Sequence, residues 1–342
     1  MSNFSPSITK WYRQNKRNLP WREVNDPYKI WLSEIILQQT RVDQGMSYYQ
    51  KFVKHYPQVC DLARADEQEV LNDWQGLGYY SRARNLHAAA RQICDELHGV
   101  FPNNYASIRE LKGVGDYTAA AISSFAFGEA KAVVDGNVYR LLSRYFDIDL
   151  PIDSTVGKRE FQQLADTLLD PANPGGHNQA IMELGAIVCT PKAQCPLCPL
   201  NESCIALERN TVAQRPVKSK KTKVRDRYFH FFLYSDGQAT YLEKRTQRDI
   251  WQHLYQFPLL ELENGSFTGL QNNLKSVAHS SDEILHILSH QRIHARFHHF
   301  FYLPEQLNEN WIKVDLAAIQ DYPLPRIIDR YLENKKLNTD IF

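Results

Sequence analysis

Leu111-Lys112-Gly113-Val114-Gly115, followed by Asp116-Tyr117-Thr118 and then Ala119-Ala120-Ala121, is the stretch on which the fold of this chain turns. Two glycines one residue apart permit φ > 0 and bring bare backbone N–H groups to the start of a helix, a natural seat for a phosphate. Such contacts position DNA without reading its sequence. An ordinary helix–helix turn has the same pattern, so the pentapeptide alone leaves both open. An echo lies upstream, where Gly76-Leu77-Gly78-Tyr79-Tyr80-Ser81 precedes Ala88-Ala89-Ala90. Both stretches are predicted to be tight turns that open helices, with small side chains that let another helix approach.

Around these turns, from Ile8 to about Ala206, apolar residues recur at three- and four-residue spacing, which predicts an all-α first domain. A polar, basic stretch follows, with Arg215, Lys218, Lys220, Lys221, Lys223, Arg225 and Arg227 interleaved with Pro216, Ser219 and Thr222. It is expected to be an exposed linker, with phosphate contact as a second use. Beyond it the texture turns β-rich and aromatic: Tyr228 to Tyr234, Thr240 to Lys244, and His294 to Leu303, with turns at Asp236-Gly237 and Asn264-Gly265. Residues 282–289 are expected to form a short helix, within an α+β second domain.

At 342 residues the chain is long enough for one or two domains with proper cores. Its 43% hydrophobic and 23% charged content is that of an ordinary globular protein. No apolar run is long enough to span a bilayer, and the N-terminus lacks a signal-peptide core. A cytoplasmic location is expected, nucleoid-associated in a bacterium. The net charge of +1 does not exclude a nucleic-acid partner, since a basic surface can be local.

Four of the six cysteines, Cys189, Cys195, Cys198 and Cys204, fall in one short stretch. In a cytoplasmic chain they suggest a metal centre before disulfides. Zinc and an iron–sulfur cube both accept four thiolates, and a single Cys-x2-Cys leans away from a zinc ribbon.

With Leu19-Pro20-Trp21-Arg22, Trp31 to Thr40, Gly76 to Tyr80, Val134-Asp135-Gly136-Asn137-Val138 and Met182-Glu183-Leu184-Gly185 set beside the hairpin, the chain resembles the helix-hairpin-helix DNA glycosylases. Within them it resembles the adenine DNA glycosylase (MutY) family, through nearly its whole length. The resemblance implies a helix-hairpin-helix catalytic domain over residues 1–210, a basic linker over 211–227, and a MutT-like, Nudix-like but non-hydrolytic domain over 228–342. It implies removal of adenine mispaired with 8-oxoguanine or guanine in duplex DNA, by a monomer with no membrane partner. It also implies a [4Fe-4S] cluster on the four cysteines. The family's first cysteine gap is usually six residues; here it is five, which shortens the loop that carries Lys192.

Cleaving an adenine N-glycosidic bond builds positive charge on the sugar and negative charge on the departing base. Glu34 lies in a largely apolar helix, where desolvation should raise its pKa and keep a proton ready for adenine N7. Asp135, in a glycine-containing loop, is expected to stay ionised beside the sugar cation. Two carboxyls thus take two roles. The resemblance adds a transient covalent adduct on Asp135, supported by Asn137. Tyr117 stands where related bifunctional lyases such as endonuclease III carry a Schiff-base lysine, and a phenol forms no Schiff base. This predicts a glycosylase that leaves an abasic site, against the runner-up, a bifunctional pyrimidine glycosylase-lyase. A DNA-binding module without catalysis is the third reading, and retention of Glu34 and Asp135 opposes it.

The target base must be flipped out of the duplex. By family position Gln39 and Tyr79 fill the vacated stack, while Trp21, Arg22 and Met182 surround the base. Gln179 offers it an amide, the usual complement to adenine. The glycines Gly113 and Gly115 seat the phosphate. In the second domain Leu288-Ser289-His290 resembles the family's Phe-Ser-His loop, with Ser289 on the lesion and His290 on the lesion or a phosphate. His290, His294 and His298 recur every fourth residue, as on a metal-binding helix. However, Ile293, Ala295, Phe297, His299 and Phe301 alternate with polar residues, which favours a strand.

Overall fold

The computed structural model describes residues 3–219, 224–263, 279–305 and 308–336. Lys220, Lys221, Thr222 and Lys223 of the expected linker, and the Asn264-Gly265 turn, lie outside the described residues. The chain divides into two compact units: Met1–Arg64 with Asn85–Lys221, and Ala65–Arg84 with Thr222–Phe342. The segment carrying the Gly76-Leu77-Gly78 turn therefore clusters with the C-terminal half rather than with the helices on either side of it.

The first unit is helical. Its central element is Pro174–Ile187, which packs against Phe4–Asn15, Gly136–Tyr145 and Asp116–Phe127. A helix with neighbours on several sides must be apolar on several sides, and Ala180, Ile181, Leu184 and Gly185 are all buried. Phe4, Ile8, Leu142 and Phe161 complete that core. Gly185 is required for the close approach, because a Cβ there would stand 2.8 Å from the Asn137 carbonyl oxygen. The Pro27–Ile36 helix starts at Asp26, whose side chain accepts the Tyr28 N–H, with Pro27 in the first turn. Eight of its ten residues are buried, as its apolar composition predicts. Cys60 and Cys94, outside the cysteine cluster, are joined by a disulfide that the sequence reading did not anticipate.

Only one of the two hairpin glycines behaves as expected. Gly113 has φ +75°, and a Cβ there would meet Asn85 at 2.5 Å. Gly115 instead has φ −96°, as the residue that caps Asp116–Phe127, with nothing within 4 Å of a Cβ. The hairpin needs one left-handed residue to reverse the chain, and Gly115 lies past the reversal. The upstream turn has φ +91° at Gly76 and +77° at Gly78, and opens the Ser81–Asp95 helix.

The second unit is α+β. Arg225–Tyr234 lies between Leu259–Leu262, antiparallel, and Gln291–Phe300, parallel. His279–Ser280 and Ile284–Ile287 also pair with Gln291–Phe300. A second sheet joins Tyr255–Gln256, Ala239–Lys244 and Trp311–Asp315. The Tyr331 ring of the Arg326–Lys336 helix stacks on Phe297 at 3.8 Å. Trp74 and Leu71, from the segment 65–84 that clusters with this unit, are buried. The helix expected over 282–289 is a strand, because Ile284 to Ile287 pair with Ala295 to Arg292 and backbone pairing overrides local propensity. Alternation holds from Arg292 to Phe297 and then fails: His298 is buried and Phe301 exposed. His298 is retained inside by hydrogen bonds to His230 (2.9 Å) and Ser280 (2.8 Å). Among the described residues no helix is long and apolar enough to cross a membrane.

Candidate active site

A cavity of about 460 Å³ opens in the first unit. Glu34, Asp135, Tyr117 and Asn137 line it, and so do Trp21, Arg22, Gln179 and Met182. Every catalytic and base-contacting residue expected from the sequence thus faces one space.

Glu34 is 9% exposed and its Oε2 accepts a hydrogen bond from the Tyr117 hydroxyl at 2.8 Å. Burial pushes its pKa up to about 7; the Tyr117 bond and Arg22 oppose the rise, and Asp135 adds to it. Tyr117 is held in turn by position, at the first turn of the helix that follows the hairpin, with its hydroxyl 3.9 Å from the Met182 sulfur. Asp135 sits not in a loop but at the N-cap of Gly136–Tyr145. It accepts the backbone N–H groups of Asn137 and Val138, both at 2.8 Å, and the Asn137 amide at 2.7 Å. Burial raises its pKa, and those three donors work against the rise. One carboxyl therefore has a single hydroxyl donor and the other three N–H donors, a difference that favours charge on Asp135 over charge on Glu34.

Two parts of the site were not foreseen. Glu183, 1% exposed, receives both arginines: Arg17 Nη2 and Arg22 Nη2 each stand 2.7 Å from its Oε2. Burial alone would raise its pKa, but the arginine hydrogen bonds outweigh it and hold the group at about 2. Arg22 thus reaches the cavity as half of an ion pair. Glu183 is the one acid in Met182-Glu183-Leu184-Gly185, and an acid amid that apolar run is the signal the sequence carries. The second is Arg140, whose Nη2 donates to Asn137 Oδ1 (2.9 Å) and whose Nε donates to the Cys189 carbonyl (2.6 Å). The residue that supports Asp135 is thereby tied to the first cysteine of the cluster.

Cys189, Cys195, Cys198 and Cys204 are free thiols that ring a single small cavity. Burial pushes the Cys198 thiol up to about 11, and its three neighbours add to the shift. Arg144 Nη1 donates to the Cys189 sulfur at 3.5 Å. Among the described residues no group of three or more His, Cys, Asp or Glu side chains is set to hold a single metal ion. The donor set of four soft sulfurs around a space, with an arginine to balance thiolate charge, fits a four-thiolate group with volume of its own.

Gln39, Gly113 and Gly115 line a larger cavity of about 1140 Å³, together with Lys131, Lys158 and Arg159. Gln39 has φ +54° and Tyr79 φ +50°, conformations uncommon for residues with a Cβ. In the second unit Tyr79, Ser289 and His290 line another cavity of about 340 Å³. Ser289 and His290 form the exposed tip between two paired strands, closed by the Leu288 N–H to the Gln291 carbonyl (2.8 Å). The Ser289 hydroxyl lies 2.6 Å from that of Tyr79. His294 is instead bound to Glu283 (2.7 Å) and Asp226 (3.2 Å).

Residues 32–165 match the model of the HhH-GPD superfamily base excision DNA repair proteins, and residues 230–334 that of the NUDIX domain. The adenine DNA glycosylase of Buchnera aphidicola subsp. Schizaphis graminum is 31% identical, covering 96% of this chain and 98% of that protein. The human adenine DNA glycosylase is 45% identical over 216 residues, 60% of this chain and 40% of the human one. Among solved structures, a thermostable thymine-DNA glycosylase matches with TM-score 0.57 and 31% identity, covering 61% of this chain and 96% of that one. An endonuclease III–DNA complex matches in fold, with TM-score 0.52 and 20% identity, over 60% of this chain and 94% of the other.

Proposed function

Because the chain belongs to the adenine DNA glycosylase family, and is therefore a DNA N-glycosylase, we propose that it excises adenine opposite 8-oxoguanine or guanine and leaves an abasic site. The observation that carries this reading is the pair of carboxyls in one cavity. Glu34 holds a proton to about pH 7, and Asp135 is surrounded by N–H donors. The adenine enters this cavity flipped from a duplex. Glu34 delivers its proton to adenine N7 as the glycosidic bond breaks. The Asp135 carboxylate then faces the sugar cation, directly or through a transient adduct, and water completes the hydrolysis.

Among the described residues lining that cavity none is a lysine, which supports base removal without lyase chemistry. Residues 1–210 form the catalytic domain, with Gly113 and Gly115 against phosphate. Residues 228–342 read the lesion through Ser289 and His290, joined by the basic stretch 211–227. The four cysteines would hold a [4Fe-4S] cluster, which would cross-link the loop that Arg140 ties to Asn137. The protein works as a monomer on duplex DNA in the cytoplasm.

The test is single-turnover cleavage of a duplex with one adenine opposite 8-oxoguanine, with and without hot alkali. Strand breaks only after alkali are expected. Breaks without alkali would mean a lyase, and none in either lane would mean another substrate.

A further inference from the structure

We propose that Tyr12 is a positioning residue for base recognition: it takes the carbonyl oxygen of Gln179 and so turns the NH2 end of that side chain toward the bound base. The inference rests on the reading of the cavity as an adenine pocket and deepens it.

Tyr12 is not a lining residue. It belongs to the Phe4–Asn15 helix, is 7% exposed, and stands behind the cavity wall. Its hydroxyl donates to Gln179 Oε1 at 2.6 Å. That separation is usual for O–H···O and short for N–H···O, so the amide's oxygen, not its nitrogen, is the partner. Burial raises the phenol's pKa, with Arg22 opposing, so the hydroxyl remains a donor throughout the ordinary pH range. The ring cannot easily turn away. The Arg22 guanidinium lies 5.5 Å from its centroid, and Arg22 is itself fixed by two hydrogen bonds to Glu183.

A glutamine amide has a donor end and an acceptor end that exchange on a half-turn, so an unanchored Gln179 would present either. Anchored by Tyr12, it presents N–H. Adenine has unprotonated ring nitrogens at N1, N3 and N7, and N7 is the site that Glu34 protonates. The donor therefore meets N1 or N3. A base with hydrogen on the facing nitrogen would set donor against donor and leave a buried polar group unpaired, a costly arrangement.

The experiment compares wild type, Tyr12→Phe, Gln179→Leu and the double variant in single-turnover excision. The duplexes carry adenine, 1-deazaadenine or 3-deazaadenine opposite 8-oxoguanine, and thermal unfolding is followed alongside. Tyr12→Phe keeps the ring and loses only the hydroxyl. It is expected to slow adenine release about tenfold, the order of one hydrogen bond. It should add almost nothing on the Gln179→Leu background, and its effect should shrink to less than about twofold on one of the two deaza substrates. Equal slowing of all three bases, additivity with Gln179→Leu, or a wild-type rate would overturn the proposal, leaving Tyr12 as a packing residue. Gln179→Glu offers a second route should Tyr12→Phe unfold: its carboxylate still accepts from Tyr12 but has no N–H, and a wild-type rate from it would also overturn the proposal. Wild-type protein that releases no adenine would overturn the pocket reading itself, which the deaza comparison keeps separate.

Discussion

At the scale of residues, Glu34 and Asp135 share a cavity and a direction of shift, and differ in what surrounds each. Both are raised by burial, but Asp135 receives three N–H donors where Glu34 receives one hydroxyl. In the proposed role Glu34 must be protonated to act, and burial raises its pKa to about 7. Single-turnover excision should therefore be level below that pH and fall about tenfold per unit above it. A flat profile between pH 5 and 9 would remove Glu34 as the acid. Glu34→Gln should abolish base release and keep affinity for lesion duplex, measured by gel shift. The burial of Glu34 was legible because its helix neighbours are apolar. The Glu183 pair was not, since Arg17 and Arg22 lie more than 150 residues away in the chain.

At the scale of elements, Asp135 faces the cavity and also caps a helix, and its proposed part at the sugar can be separated from the cap. Asp135→Asn should lose base release while keeping most of the cap, because an amide oxygen also accepts backbone N–H groups. Asp135→Ala should lose base release and about 1 kcal/mol of stability besides. Chemical denaturation beside single-turnover rates checks both. The hairpin makes a similar contrast. Gly113→Ala forces a side chain into φ +75° and against Asn85, and should cost about 1–2 kcal/mol or more. Gly115→Ala meets open space and an ordinary φ, so it should change stability by less than about 0.5 kcal/mol while weakening DNA binding. Equal destabilisation by the two would contradict this account. The hairpin was visible in sequence, but which glycine reverses the chain was not.

At the scale of the whole molecule, Ala65–Arg84 clusters with the C-terminal half. Within that unit Gln68 donates to the Asp321 carbonyl, and His253 pairs with Glu67 at 2.6 Å. A chain ending at residue 221 should therefore loosen the segment 65–84. Amide hydrogen exchange over 65–84 should accelerate, because its packing partners are gone. Unchanged exchange there would show that the segment needs no partner from beyond residue 221.

The pairing of Glu34 with Asp135 came from the family resemblance; local patterns were enough for the helical first half, the β-rich second half, the hairpin and the cysteine cluster. Each depends on neighbours within a few positions, where period, spacing and side-chain size act directly. Tertiary structure alone decided that Glu183 receives Arg17 and Arg22, that Tyr12 stands behind Gln179, and that Cys60 meets Cys94. It also decided that Ile284–Ile287, within the stretch expected to be helical, form a strand. Hydrogen bonds, ion pairs and strand pairing depend on distance and direction between residues remote in the chain, and no local period encodes either.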